Sequence, residues 1–203
     1  GLNQLDLNDP LHADPQLATF TNYRHNPADP SSLSEDSIWA IHQTLDGTLW
    51  VGTPLGLNRF NPTTRTFSRY TEKDGLPNNV VLGIMEDYFG KLWLTTNNGL
   101  AQFDPRAETF ITYDISDGLQ SNEFNSSAYL RARSGVMFVG GINGFNLFNP
   151  AFVKPNPVAP QVAVTGFQVF NQPLKVDLSG REPVRLSYKQ DFISFEFAAF
   201  DYQ

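Results

Sequence analysis

The chain has 203 residues, of which 40% are apolar and 13% aromatic, with a formal net charge of −7 and no cysteine. This length suffices for one large or two small domains with a sizeable core. The charge disfavours nucleic-acid binding, which needs clustered Lys and Arg to neutralise phosphates, and the lack of cysteine excludes disulfides, thiolate zinc sites and thiol nucleophiles.

The N-terminal segment 1–17 contains no basic region followed by an apolar run, so no signal peptide is predicted. No stretch of the sequence reaches the length of an apolar membrane span, so we expect no membrane contact by this segment. The pattern Phe-x-x-Tyr at Phe20 and Tyr23 predicts a lone outer strand at 18–23.

Residues 18–150 are dominated by an internal repeat. The segment 45–52, which reads Leu-Asp-Gly-Thr-Leu-Trp-Val-Gly, aligns with 88–95 and 133–140. Trp50 and Trp93 are 43 residues apart, and 45 residues separate Trp93 from Phe138. The same two intervals separate three prolines that end the repeat, namely Pro62, Pro105 and Pro150. A period of this size indicates a repeat architecture.

Each repeat is predicted to be one blade of a β-propeller, with blades near 37–71, 80–114 and 128–150. Four short strands bounded by Gly, Asn or Pro within forty-odd residues are typical of such a blade. The second strand is apolar at successive positions, as expected of a strand covered on both faces. The Trp50, Trp93 and Phe138 series therefore indicates packing between blades, with a ligand-stacking platform as the alternative.

The third unit lacks its own Phe-x-x-Tyr strand, and the chain continues into a Pro-rich linker at 151–160. Strand 18–23 is a candidate to complete that blade, in the same chain or between chains. About three blades cannot close a ring, because propellers need about four to eight. We therefore expect this sequence to be part of a longer protein.

Residues 161–203 predict a different all-β unit. Alternating apolar residues at 162–169, Leu186-Ser187-Tyr188 and a Phe-rich run at 192–197 indicate strands. The predicted fold class is thus all-β: a partial propeller of about three four-stranded blades, followed by a truncated β-sandwich of the immunoglobulin or fibronectin type.

The motif at 46–53, continued at 56–57 and 60–62, resembles the two-component regulator propeller repeat. The tail from Leu186-Ser187-Tyr188 through 195–202 is similar to the opening of the Tyr-Tyr-Tyr domain. This resemblance implies the periplasmic, ligand-sensing part of a bacterial inner-membrane receptor with a cytoplasmic kinase or diguanylate cyclase output. It further implies an oligosaccharide ligand, contacts with the remainder of the receptor, and a homodimer.

No catalytic or metal constellation is predicted. The three histidines are isolated and lack metal-ligand spacing, and we interpret His42 as a residue on the face of a strand. Asp46, Asp74 and Asp117 each precede Gly, which favours a role in turns. We therefore predict no enzyme activity, no cofactor and no metal for this segment.

The candidate ligand-binding residues are Asn122, Glu123, Phe124 and Asn125. They lie in a connection between blades, and amides with an aromatic ring suit the hydroxyls and faces of sugars. The alternative is that this segment is only a turn-forming connection. Two other functions also stay open, namely an extracellular propeller enzyme acting on glycans and a protein-interaction scaffold.

Overall fold

The computed structural model describes residues 1–5, 20–154, 161–176 and 183–200. The chain divides into two compact units, Gly1–Lys154 and Pro155–Gln203. Four predicted features lie partly outside the described residues: the N-terminal segment at 6–17, the strand 18–23 at its first two residues, the Pro-rich linker at 155–160, and the end of the Tyr-Tyr-Tyr domain at 201–203.

The first described unit consists of short antiparallel strands. In chain order they are β1 Leu2–Leu5, β2 Phe20–Tyr23, β3 Ala40–Gln43, β4 Leu49–Thr53, β5 Gly56–Asn61, β6 Thr66–Tyr70, β7 Val81–Glu86, β8 Leu92–Thr96, β9 Leu100–Asp104, β10 Thr109–Tyr113, β11 Phe124–Arg131, β12 Met137–Gly141 and β13 Gly144–Phe148. Single-turn 3-10 helices lie at Glu72–Asp74, Ile115–Asp117 and Pro150–Phe152.

Strands β3 to β6 form blade 1 and β7 to β10 form blade 2, each as a four-stranded sheet in sequential order. Glycines in the tight turns allow the successive strands of each blade to pair. Gly56 and Gly99 adopt φ of 124° and 100° in the turn between the second and third strands. A Cβ there would also collide with the carbonyl oxygens of Tyr70 and Tyr113, so only glycine fits both turns.

The core lies between successive blades. Trp50 of blade 1 is 1% exposed, and its ring centroid lies 5.6 Å from that of Phe103 in blade 2. Trp93 of blade 2 is equally buried and lies 4.8 Å from the Phe148 ring of the next sheet. Burial of these two rings confirms packing between blades at Trp50 and Trp93. Phe138, the third member of the predicted series, is only partly buried and lies beside the exposed Phe145.

Strands β11, β12 and β13 form blade 3, a three-stranded sheet. Its first strand begins at Phe124, four residues before the predicted start of the third unit. After β13 the chain enters the 3-10 helix Pro150–Phe152, and the described residues contain no fourth strand for this sheet. Phe145 and Leu147 are 67% and 59% exposed, because no other sheet of the described residues covers that face.

The strand predicted at 18–23 is not alone. Strand β2 pairs with β1, a strand that was not predicted, instead of with blade 3. The register Leu2 to Tyr23 repeats the pairing of Leu57 with Tyr70 in blade 1. Thus β1 and β2 correspond to the two outer strands of a blade, and their buried Leu2 and Tyr23 pack against blade 1 in one apolar cluster.

The second unit contains β14 Gln161–Val169, β15 Gln172–Pro173 and β16 Ile193–Phe200, paired antiparallel in the order β15-β14-β16. Phe167 and Val169 are buried, whereas Phe197 is 71% exposed. The strand predicted at 186–188 is wrong. Ser187 instead closes a turn, because its carbonyl oxygen accepts from Gln190 N at 2.9 Å and its hydroxyl from Lys189 N at 3.2 Å.

The architecture is therefore all-β, a partial propeller together with a sandwich-like sheet. Within the parts of the chain that the structure describes, no helix is both long and apolar enough to cross a membrane.

Candidate functional site

The first strands of the three blades are neighbours, since β3 and β11 both contact β7. At one end of these strands lie the connections that link one blade to the next. At the other end lie the hairpins between the first and second strands. Polar residues collect at both ends, and each end is a candidate site.

Asn122 holds the connection between blades 2 and 3. Its Oδ1 accepts a hydrogen bond from Ile115 N at 2.8 Å, and its carbonyl oxygen accepts from Gly99 N at 2.7 Å. The preceding connection repeats this arrangement, with Asn79 Oδ1 accepting from Glu72 N at 2.9 Å. The amide oxygen of Asn122 therefore has a structural role that recurs from blade to blade.

Phe124 lies in the apolar core. It is 4% exposed and packs in one cluster with Leu82, Met137 and Val139. The equivalent first residue of blade 2 is Val81, which is also fully buried. The ring of Phe124 therefore packs within the protein and presents no free face to a ligand in this conformation.

Glu123 and Asn125 are exposed. Beside them, Gln120 Oε1 accepts from Asn143 N at 2.7 Å, which ties the connection to the turn between β12 and β13. We call Gln120, Glu123, Asn125 and Asn143 the connection surface. Its amides and carboxylate offer donors and acceptors to a ligand, and the binding role of the four predicted residues stays a prediction.

The sequence interpretation missed a polar cluster at the opposite end. His42 of β3 and Glu86 of β7 approach to 3.7 Å between Nε2 and Oε2, which is too long for a hydrogen bond. Glu86 Oε2 accepts instead from Leu45 N at 2.9 Å. Arg131 of β11 stacks on Tyr88, with Cζ 4.3 Å from the ring centroid.

Burial favours the neutral form of the imidazole in this cluster. Burial lowers the pKa of His42, and the nearby Glu86 carboxylate only partly offsets this effect. The sequence repeat could have indicated part of this cluster. Its last residue in the first strand of each blade is polar, namely Gln43, Glu86 and Arg131. Among the described residues, no group of three or more His, Cys, Asp or Glu side chains is placed to hold a metal ion.

Comparison with known families connects this architecture to a named repeat. Residues 75–98 match the two-component regulator propeller family. The matched segment contains β7 and β8, the first two strands of blade 2. Blade 2 is thus similar to the two-component regulator propeller repeat over these residues, whereas the Tyr-Tyr-Tyr assignment of 161–203 stays a prediction.

The chain is similar to several solved structures. PorZ, a surface component of the type-IX secretion system of Porphyromonas gingivalis, is 14% identical with a TM-score of 0.51, over 90% of this chain and 33% of PorZ. The extracellular domain assigned to the hybrid two-component system BT4673 of B. thetaiotaomicron is 22% identical with a TM-score of 0.48, over 91% of this chain and 24% of that one. The extracellular domain of the putative hybrid two-component system BT3049 of B. thetaiotaomicron is 19% identical with a TM-score of 0.42, over 89% of this chain and 31% of that one.

This chain thus spans about a quarter to a third of the length of these structures. At such identities the likeness concerns the fold alone. No curated protein matches the chain.

Proposed function

We propose that this chain is part of the ligand-sensing, periplasmic region of a bacterial membrane receptor of the two-component type. The observation that supports the proposal is the match of residues 75–98 to the two-component regulator propeller family. The matched segment lies in blade 2, which is flanked by sheets built on the same repeat. Because the matched family is named for two-component regulators, a sensor is the best-supported function for these blades.

The proposed ligand is an oligosaccharide, bound at the connection surface. Exposed Glu123 and Asn125 offer a carboxylate and an amide, and Asn143 adds a second amide. Such groups hydrogen-bond sugar hydroxyls, and loops on a rigid sheet scaffold are common positions for binding residues. Asn122 and Phe124 would position this surface, because Asn122 hydrogen-bonds within the connection and Phe124 packs in the core.

In this proposal, occupancy of the propeller is relayed through the second unit to a cytoplasmic kinase or cyclase, and the receptor signals as a dimer. The sheet β15-β14-β16 follows the blades directly in the chain, as a relay between the propeller and a membrane anchor requires.

Calorimetry of the entire ectodomain that contains these residues, titrated with a panel of oligosaccharides, tests the proposal. We expect saturable heat with at least one oligosaccharide, and weaker binding by about tenfold in a Glu123→Gln, Asn125→Ala double variant that loses hydrogen bonds to the sugar. The control is Lys73→Gln, an exposed residue on the preceding connection, which should leave binding unchanged.

The outcomes separate the alternatives. No heat with any oligosaccharide would overturn the direct sugar sensor, and capture of a partner protein instead would favour a scaffold. Hydrolysis or elimination of a glycan by the protein would favour an enzyme. Unchanged affinity in the double variant would place the ligand elsewhere than the connection surface.

A further inference from the structure

Blade 3 lacks the strand that completes blades 1 and 2. Each of those sheets has a fourth strand, β6 or β10, whereas the sheet of blade 3 stops at β13. Among the described residues no strand pairs with the outer edge of β13, so the backbone N–H and C=O groups of that edge have no ladder partner. An edge of this kind binds extended peptides by adding them to the sheet as a further strand.

In blade 2 the fourth strand places a phenylalanine ring against the preceding blade. The ring centroid of Phe110 lies 4.4 Å from that of Phe103 in β9 and 6.5 Å from that of Tyr70 in blade 1. The ring also fills the space beside Gly75, where a Cβ would lie 3.5 Å from Phe110 Cδ2. Phe110 therefore occupies the outer part of the junction between blades 1 and 2.

Blade 1 has the same arrangement toward the strands that precede it. The ring of Phe67 in β6 lies 5.1 Å from that of Phe60 in β5 and 5.8 Å from that of Tyr23 in β2. Both fourth strands read Phe-x-x-Tyr, at 67–70 and 110–113. The fold thus uses one aromatic ring of each fourth strand to fill the space between neighbouring blades.

The corresponding space between blades 2 and 3 is a cavity of about 210 Å³. We call it the blade 3 cavity, and it is lined by Trp93, Tyr113, Gly118, Leu119, Phe148 and Val153, among others. No described atom lies within 4 Å of the position that a Cβ on Gly118 would take, in contrast to its counterpart Gly75. An apolar cavity of about 150 Å³ is large enough to bind benzene, so this cavity has room for a phenyl ring.

The amide and carboxylate side chains that line the cavity already have partners. Asn146 Oδ1 accepts from Gln120 N at 2.8 Å, and its Nδ2 donates to the carbonyl oxygen of Gly118 at 3.0 Å. Asp117 Oδ2 accepts from Asp114 N at 2.8 Å. With these groups engaged, the cavity favours an apolar ring over a polar ligand.

From these observations we infer that blade 3 binds an extended polypeptide segment of a partner, in which a Phe precedes a Tyr by three residues. The segment pairs with the free edge of β13. In the register of β10 on β9, its Phe lies opposite Phe148 and enters the blade 3 cavity, while its Tyr lies opposite Phe145 on the other face.

The occupant is a partner and not a second copy of this chain. The segments of the chain that carry the pattern are β2, β6 and β10, and each already pairs within its own sheet. The inference is independent of sugar binding at the connection surface, and each can fail without the other.

Nuclear magnetic resonance of the chain with a peptide added in solution tests this site. The probe is a synthetic peptide with the sequence of residues 107–114, which contains the whole of β10. We expect a saturable shift of the indole N–H of Trp93, which lines the cavity. The indole N–H of Trp50 should not shift, because Phe110 already fills the equivalent space beside it.

Two peptide variants and two chain variants locate the ring. A Phe110→Ala peptide should bind about tenfold more weakly or worse, because it buries no phenyl ring. A peptide in which Phe110 and Ile111 are exchanged should be weakened as well, since its ring would point to the other face of the sheet. In the chain, Val153→Phe should abolish binding by filling the cavity. Val164→Phe makes the same change at an exposed position of the second unit and should have no effect.

An unshifted Trp93 indole, or equal shifts of the Trp93 and Trp50 indoles, would overturn the site. Equal affinity of the native and Phe110→Ala peptides would overturn the role of the cavity, and so would unchanged binding to Val153→Phe. If that variant loses the folded Trp50 signal, the comparison of the peptides decides by itself. Sedimentation of the chain without peptide provides the last check, because a dimer that the peptide dissociates would identify a second copy as the occupant and overturn the inferred partner.

Discussion

Two junctions between blades can be compared, that of blades 1 and 2 and that of blades 2 and 3, and they share the same aromatic packing. In both, a tryptophan of the second strand packs on a phenylalanine of the next blade, Trp50 on Phe103 and Trp93 on Phe148. They differ at one polar position: Asp87 accepts the indole hydrogen bond of Trp93, whereas the matching residue is Thr44 in blade 1, and no described residue accepts from Trp50 Nε1. The apolar positions of the repeat fix the architecture, while its polar positions are free to diverge between junctions.

The largest expected effect comes from removing the shared packing. Trp93→Ala should lower the free energy of unfolding by about 3–5 kcal/mol, because it leaves a large cavity in the core. Trp50→Ala should cost a similar amount, since both rings are 1% exposed. Denaturant unfolding of the chain measures both. A loss below about 1 kcal/mol for either variant would contradict packing between blades.

A conservative substitution isolates the polar difference between the junctions. Trp93→Phe should be more destabilising than Trp50→Phe by about 1–3 kcal/mol, because only the first leaves a buried hydrogen-bond partner, Asp87, unsatisfied. Asp87→Ala in the background of Trp93→Phe should then cost less than in the native chain. If the two Phe variants lost the same free energy of unfolding, the hydrogen bond from Trp93 to Asp87 would contribute nothing to stability.

Removing the asparagine side chain should destabilise the protein to the same extent in the connection before β7 and in the connection before β11. Asn79→Ala and Asn122→Ala each remove a side-chain acceptor for a backbone N–H, and each should cost about 1 kcal/mol. The measurement is again the unfolding free energy, with Asn97→Ala, at an exposed asparagine outside the connection surface, as the control. A much larger loss of ligand affinity than of stability in Asn122→Ala would show that the residue also contacts ligand.

The smallest expected effect is a pH dependence of the unfolding free energy that comes from His42 at the junction of blades 1 and 2. Burial lowers the pKa of His42 in the folded chain below its ordinary value of 6.5. The unfolded state therefore binds more protons below that pH, and stability falls as the pH decreases from 6.5 through the folded pKa. Unfolding at a series of pH values should show this slope, and His42→Gln should remove it. An unchanged slope in that variant would assign the dependence to other groups.

The sequence allowed the stacked blades to be predicted because the repeat of Trp50 at Trp93 constrains both spacing and burial. Strand β1 was missed, although Gly1-Leu2-Asn3 repeats Gly56-Leu57-Asn58, because its pairing partner lies across an intervening segment. Ser187 illustrates the opposite error. There a short apolar pattern predicted a strand, and local hydrogen bonds to the hydroxyl and carbonyl formed a turn instead.

The candidate site was less predictable than the fold. Aligning Phe124 with Val81 and Asn122 with Asn79 would have indicated structural roles for both, since each pair has the same environment. In contrast, the lack of an acceptor for Trp50 Nε1 within the described parts of the chain depends on which neighbours reach that atom. No pattern of residue types contains that information, because it results from the three-dimensional arrangement of several loops.

The central claim is that successive blades stack with one buried tryptophan at each junction. The most direct test is a nuclear Overhauser spectrum of the chain with labelled aromatic residues. We predict cross-peaks between the rings of Trp50 and Phe103 and between those of Trp93 and Phe148, whose centroids lie 5.6 Å and 4.8 Å apart. A folded spectrum in which both pairs of cross-peaks are missing would contradict the stacked arrangement.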